Sequence, residues 1–109
     1  MSITELAKLR QVTSETLRYY DRIGLITPDY VDPQTRYRYY SIRQYEKLGT
    51  IKELRQLGMS IHDITDYFSG RNLRKSHQLL LHQLELLEEE IRKQQLLSEI
   101  LRRKLHFLS

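Results

Sequence analysis

Thr13-Ser14-Glu15-Thr16-Leu17-Arg18-Tyr19-Tyr20-Asp21-Arg22-Ile23-Gly24 is the stretch on which the fold turns. Thr13 is a good N-cap, Thr16, Leu17, Tyr20 and Asp21 follow at helical offsets, and Gly24 is placed to stop the helix. The result is a helix of fewer than about three turns that presents Arg18, Tyr19 and Arg22 outward. So short a helix does not fold alone, because nucleation costs more than its few hydrogen bonds return. Its support must come from the sequence on either side.

On the N-terminal side, Ser2-Ile3-Thr4-Glu5 is a capping box, and Ile3, Leu6, Ala7 and Leu9 follow at helical spacing. This predicts a first helix from Ile3 to about Arg10, with Gln11-Val12 as the break. Two short helices joined by about three residues are a helix-turn-helix candidate. On the C-terminal side, Leu25–Val31 and Tyr37–Tyr40 are β-prone, and Asp32-Pro33-Gln34-Thr35 between them is turn chemistry. The stretch reads as a β-hairpin, a wing. In regular alternation Arg36 and Arg38 share one face and Tyr37 and Tyr39 the other, unless a bulge intervenes.

Ser41 caps a third helix, Ile42 to about Leu57, with Ile42, Tyr45, Leu48, Ile51, Leu54 and Arg55 at helical offsets and Gly58 as its stop. Ser60 caps a fourth, whose buried stripe is Ile61, Ile64, Tyr67 and Phe68 and whose end is Gly70. After Asn72 there is neither Gly nor Pro, so Leu73 to about Leu108 is expected as one helix, roughly 55 Å long. The expected organisation is a winged helix-turn-helix over 1–71 and a long helix over 72–109.

The long helix carries heptads. Leu80, Leu87, Leu101 and Leu108 form one series with Gln94 inside it, and Leu84, Ile91 and Leu105 form the other with Ser98 inside it. Leu79, Leu86, Leu97, Ile100 and Phe107 widen the apolar stripe. The preceding helices are too short to cover it, which points to a coiled-coil homodimer. Glu88-Glu89-Glu90 near the start and Arg102-Arg103-Lys104 near the end suit antiparallel pairing. Gln94 and Ser98 would then lie near the two-fold axis and help fix register.

A chain of 109 residues with a formal net charge of +4 suits a polyanion partner without demanding one. The absence of cysteine excludes disulfides, thiolate metal sites and thiol switches, and makes a reducing cytoplasm the simplest compartment. No apolar run approaches the length of a membrane span. An enzyme finds no support: His62, His77, His82 and His106 are scattered, and no nucleophile–base pair, Gly-rich phosphate loop or paired carboxylates stands out. No cofactor or metal is expected. The competing reading is a coiled-coil adaptor for protein interactions whose basic residues only solubilise it.

Four blocks occur in order: Thr-Glu-Leu-Ala-Lys-Leu at 4–9, Val-Thr-Ser-Glu-Thr-Leu-Arg-Tyr-Tyr-Asp-Arg-Ile-Gly-Leu at 12–25, Asp-Pro-Gln-Thr-Arg-Tyr-Arg-Tyr-Tyr-Ser at 32–41 and Leu-Arg-Gln-Leu-Gly-Met-Ser-Ile at 54–61. Together they resemble the DNA-binding region of MerR-family transcription regulators. The Pro-Asp-Tyr-Val-Asp-Pro run at 28–33 is most similar to the multidrug-sensing, BmrR-like branch. The resemblance extends along essentially the whole chain. It implies a homodimer that places two winged helix-turn-helix units on a two-fold promoter site in double-stranded DNA. It further implies activation by bending and untwisting an overlong spacer between the hexamers read by RNA polymerase, a form of indirect readout.

Residue by residue, the resemblance assigns Arg18 and Tyr19 to contacts from the recognition helix, Tyr37 and Arg38 to wing contacts, and Arg55 to a phosphate contact. Chemistry adds Arg22, Arg36 and the helix starts at Thr13 and Ile61, which favour anions. Tyr20 is either a further contact or core. Tyr39, Tyr40 and Tyr45 are assigned to packing. Three departures from the family pattern stand out. The usual glycine of the helix-turn-helix turn is absent, so a residue such as Gln11 must take a positive φ. Arg36 stands where a glycine often precedes the Tyr-Arg pair. The multidrug-sensing relatives continue into an effector domain past the position of Ser109, which leaves the inducing ligand unassigned.

Overall fold

The computed structural model describes residues 1–109. The elements run α1 (Ile3–Arg10), α2 (Ser14–Arg22), β1 (Tyr30–Val31), β2 (Arg38–Tyr39), α3 (Ile42–Gln56), α4 (Ile61–Ser69) and α5 (Leu73–Leu108). They divide into two compact units, Met1–Thr65 and Asp66–Ser109.

In the first unit the local signals act as their chemistry dictates. The Ser2 hydroxyl accepts from the Glu5 amide at 3.1 Å and the Glu5 carboxylate accepts from the Ser2 amide at 3.4 Å, which closes the capping box of α1. Gln11 ends α1 in the left-handed region, at φ 56 and ψ 47, as a turn without glycine requires. That conformation costs a non-glycine residue about 1–2 kcal/mol. It is held by the Val12 amide donating to the Ala7 carbonyl at 2.9 Å. The Thr13 hydroxyl then accepts from the Thr16 amide at 3.0 Å and starts α2.

The chain after α2 departs from the expected strand. Leu25 and Ile26 are both buried, and their amides donate to the Tyr20 carbonyl at 2.9 and 3.3 Å. Two consecutive buried side chains do not fit a strand with one solvent face, where neighbours alternate. The pair plugs the core instead, and the ladder is confined to Tyr30↔Tyr39 and Val31↔Arg38. The core of this unit gathers Leu6 from α1, Leu17 from α2, Ile26, Leu48 and Ile51 from α3, and Ile64 from α4, all at most 1 % exposed.

Ile42, expected on the buried stripe of α3, is 66 % exposed. It is the first residue of the helix, and the buried stripe begins a turn later. There the half-buried Tyr45 receives the Arg10 guanidinium over its ring, 3.7 Å from the centroid, while Arg10 Nε donates to the Tyr45 carbonyl at 2.9 Å. Gly49 makes room for this packing: a Cβ there would lie 2.6 Å from an Arg10 terminal nitrogen. Gly58, at φ 87, follows α3.

The Ser60 hydroxyl accepts from the Asp63 amide at 3.1 Å at the start of α4. Of the expected stripe Ile64 is fully buried and Ile61, Tyr67 and Phe68 are half-buried, with the two aromatic rings edge to face at 5.2 Å. Asn72 caps α5 by accepting from the Lys75 amide at 3.1 Å, and the helix continues unbroken for 36 residues. Leu84, Leu87, Ile91, Leu101, Leu105 and Leu108 are exposed along it, as is Gln94, while Leu80 and Ser98 are half-buried. No helix is long and apolar enough to cross a membrane.

Candidate nucleic-acid interface

A ladder of two residue pairs is marginal by itself. The wing is held by its loop and its root. In the loop the Asp32 carboxylate accepts from the amides of Gln34 at 2.8 Å and Thr35 at 3.1 Å. These bonds to the ionised form, that from Thr35 foremost, hold the Asp32 pKa below its usual value. The Arg36 amide donates to the Asp32 carbonyl at 2.8 Å and the Asp32 amide to the Tyr37 carbonyl at 2.9 Å. Arg36, last in this four-residue loop, has φ 65. An arginine thus takes the left-handed setting that glycine usually fills, and regular alternation begins only at Arg38.

The root is tied to α3 and to the chain start. Gln44 donates through Nε2 to the Thr27 carbonyl and to the Asp29 carboxylate at 2.9 Å, and accepts at Oε1 from the Ser41 amide at 2.7 Å. Ser2 bridges to Tyr39 in antiparallel fashion, and Tyr40 exchanges hydrogen bonds with the Met1 backbone at 2.6 and 2.7 Å.

The structure brings most of the expected residues to the surface of α2 and the wing. Arg18, Tyr19 and Arg22 are exposed on α2, with the Arg22 guanidinium 5.7 Å from the centre of the Tyr19 ring. Arg36 and Tyr37 are exposed on the wing loop. Arg18, Tyr37 and Arg38 line one open cleft together with Ser2, Ile3 and Thr4 from the start of α1. α2 and the wing therefore offer their donors to a shared concavity.

Other residues are placed differently. Tyr20, left open between contact and core, is 8 % exposed and packs inside. Burial, more than the neighbouring Tyr19, pushes its phenol pKa up, against the pull of Arg55. Arg38 is only one-third exposed, because its Nε donates to Asp21 Oδ2 at 3.1 Å. Arg55 is exposed, and its Nη1 donates to the Met59 carbonyl at 2.9 Å, bracing the turn after α3. The Thr13 hydroxyl serves the cap of α2, and Ile61 is half-buried at the start of α4. Three contributors escaped the sequence reading: Asp21, Gln44 and the Met1–Ser2 backbone. Their bonds span 15 residues or more, and no local pattern announces such a pairing.

With two short capped helices, a hairpin wing and an exposed arginine–tyrosine surface in place, comparison with known proteins is decisive. A family model described as MerR HTH family regulatory protein matches residues 1–71. The chain belongs to the MerR family. Among MerR relatives it is 37% identical over 108 residues to the multidrug-efflux transporter 1 regulator of Bacillus subtilis, covering 99% of this chain and 34% of that one. It is 36% identical over 104 residues to the transcriptional regulator BrlR of Pseudomonas aeruginosa, covering 92% and 38%. The chain thus spans about a third of the length of these curated relatives.

Among solved structures, EcmrR in the cryo-EM EcmrR-DNA complex of EcmrR-RPo superposes with a TM-score of 0.67 at 32% identity, covering 99% of this chain and 38% of that one. MtaN, the N-terminus of the Bacillus subtilis multidrug transporter activator, gives 0.68 at 24% identity, covering 96% and 97%, a likeness of fold. The MerR fold of this chain is therefore mainly α, a winged helix-turn-helix with a small hairpin wing followed by a long helix.

Proposed function

We propose that this chain is the DNA-binding and dimerisation part of a sequence-specific transcription regulator of the MerR type. Residues 1–71 grip DNA and 72–109 pair with a second copy in an antiparallel coiled coil. The homodimer binds a palindromic promoter in the bacterial cytoplasm, on the duplex that RNA polymerase also occupies. It activates by bending and untwisting an overlong spacer. The observation that carries this reading is the shared cleft, where Arg18 of α2 and Tyr37 and Arg38 of the wing face the same space. EcmrR, 32% identical, is seen in complex with DNA and supports it. The adaptor reading accounts for the exposed face of α5 but gives the arginines and tyrosines of α2 and the wing no task.

In this proposal phosphate contacts come from Arg18, Tyr19, Arg22, Arg36, Tyr37, Arg38 and Arg55 and from the helix starts at Thr13 and Ile61. Arginines fork onto phosphate oxygens, and tyrosine hydroxyls donate singly. The test is equilibrium binding of the chain to a palindromic promoter duplex across a salt series. The logarithm of the association constant should fall linearly with that of salt, by about 0.9 per phosphate neutralised. No binding even at low salt would overturn the reading. Arg18→Ala should weaken binding about 5- to 20-fold, an energy of about 1–2 kcal/mol, with the dimer intact by sedimentation. Unchanged affinity would remove Arg18 from the interface.

Arg36 gives a prediction with two opposite signs. Arg36→Gly relieves the left-handed arginine and should stabilise the fold by about 1 kcal/mol in urea titration. The same change removes a cation from the wing tip, so the salt slope of duplex binding should flatten by about one phosphate. A flatter slope without added stability, or the reverse, would separate the strain from the contact.

A further inference from the structure

Asp21 is an acid on the recognition helix, one turn after Arg18. Beside phosphates an unpaired carboxylate there would only repel. Its bond supplies a reason for its presence: Asp21 Oδ2 receives Arg38 Nε at 3.1 Å, across 17 residues, with side chains 26 % and 33 % exposed. The contact uses one of the five N–H donors of a guanidinium and leaves both terminal nitrogens. Arg38, so held, lines the cleft together with Arg18.

The surroundings leave this pair to each other. Tyr40 is 3 % exposed beneath the wing, and its buried hydroxyl bonds to no protein group, so it does not compete for the Asp21 carboxylate. The neighbourhood is nonetheless shared. After burial itself, Asp21 is what most raises the Tyr40 pKa, and Arg38 and Arg18 oppose it. The wing has only two ladder pairs, and Arg38 sits in one of them, opposite Val31. A free arginine on so slight a ladder would spread over many rotamers, each of which binding must then give up.

We propose that Asp21 is a positioning residue for duplex binding: it holds Arg38 beside Arg18 so that recognition helix and wing meet the phosphates as one preformed pair of cations. This rests on the DNA-binding reading and assigns within it a residue that touches no phosphate. It also reverses the naive sign. By charge alone, removing an acid from a DNA-binding surface tightens binding. Positioning makes the same removal weaken it, because the guanidinium loses its fixed place.

The experiment is a double-mutant cycle on the full chain, with binding to a palindromic promoter duplex followed by fluorescence anisotropy over a salt series. Asp21→Ala should weaken binding about 5- to 10-fold and flatten the salt slope by about one phosphate. In an Arg38→Ala background the same substitution should leave affinity unchanged or raise it. Hydrogen exchange of the core amides of Leu17 and Leu48 certifies the fold. If Asp21→Ala unfolds the chain, Asp21→Leu replaces it in both backgrounds, because it keeps a similar branched shape and offers no acceptor to Arg38 Nε. Equal weakening in both backgrounds would reduce Asp21 to a structural residue and overturn the proposal, as would tighter or unchanged binding with Arg38 present. A wild type that binds no duplex at low salt would remove the DNA-binding reading and the proposal with it, a result distinct from a wild type that binds while Asp21 proves indifferent.

Discussion

Ile91→Asp is expected to turn the proposed dimer into a monomer at micromolar concentration and to lower duplex affinity by about two to three orders of magnitude. Ile91 stands near the middle of a 36-residue helix and is 54 % exposed in the single chain. The same face carries Leu84, Leu87, Leu101, Leu105 and Leu108, all exposed. Each such side chain, once covered, contributes about 1.5–3 kcal/mol. An aspartate in the seam forfeits one of these and adds a carboxylate that must stay solvated or be buried unpaired, at several kcal/mol more. Two copies per dimer double the cost. Binding suffers through geometry, because two linked half-site contacts act as one event and two free monomers do not. Sedimentation equilibrium beside duplex titration checks both halves. A dimer that persists would place the seam on another face, first among them the line through Leu86, Leu97 and Ile100.

Leu17→Ala is the second large effect, and it acts inside the recognition helix. Leu17 is fully buried, and truncating such a leucine costs about 2–5 kcal/mol. At about 0.05–0.15 kcal/mol per residue, a unit the size of Met1–Thr65 holds only about 3–10 kcal/mol in all. The variant should therefore lose much of its stability, and its α2 should no longer present Arg18 at physiological temperature. Urea unfolding followed by tyrosine fluorescence measures the loss, since Tyr20 and Tyr40 lie in the same core. Duplex binding should return on cooling if folding is the cause, whereas the deficit of Arg18→Ala should remain at every temperature. A loss below about 1 kcal/mol would mean that α2 is not anchored through Leu17.

What the sequence made legible was whatever is written locally. The capping box at Ser2 and Glu5, the cap at Thr13, the left-handed Gln11, and Gly58 and Gly70 beyond α3 and α4 follow from neighbours within about four residues. The lack of Gly and Pro after Asn72 is equally local, which is why a helix ending at Leu108 could be read from the chain. The misreadings share the opposite cause. Leu25 and Ile26 have strand-like composition, yet a core built by α1, α2 and α3 claims both. Ile42 has helical spacing and no core above it. At the site, Arg38 was legible as a cation but its tie to Asp21 was not, and Tyr20 stood undecided until burial placed it inside. Arg10 could be read as a basic residue at the end of a helix, but its seat on Tyr45 over Gly49 required the tertiary fold.

Gln44 locks the root of the wing in one direction. Its amide is used at both ends, receiving from Ser41 and giving to Thr27 and Asp29. Turned over, the amide would set donor against donor at Ser41 and oxygen against oxygen at Thr27 and Asp29, so the joint has one setting. The wing is thereby pinned to the first turn of α3 like a lever on a keyed shaft. The root of the wing and the first turn of α3 therefore share one orientation, fixed by a single side-chain amide.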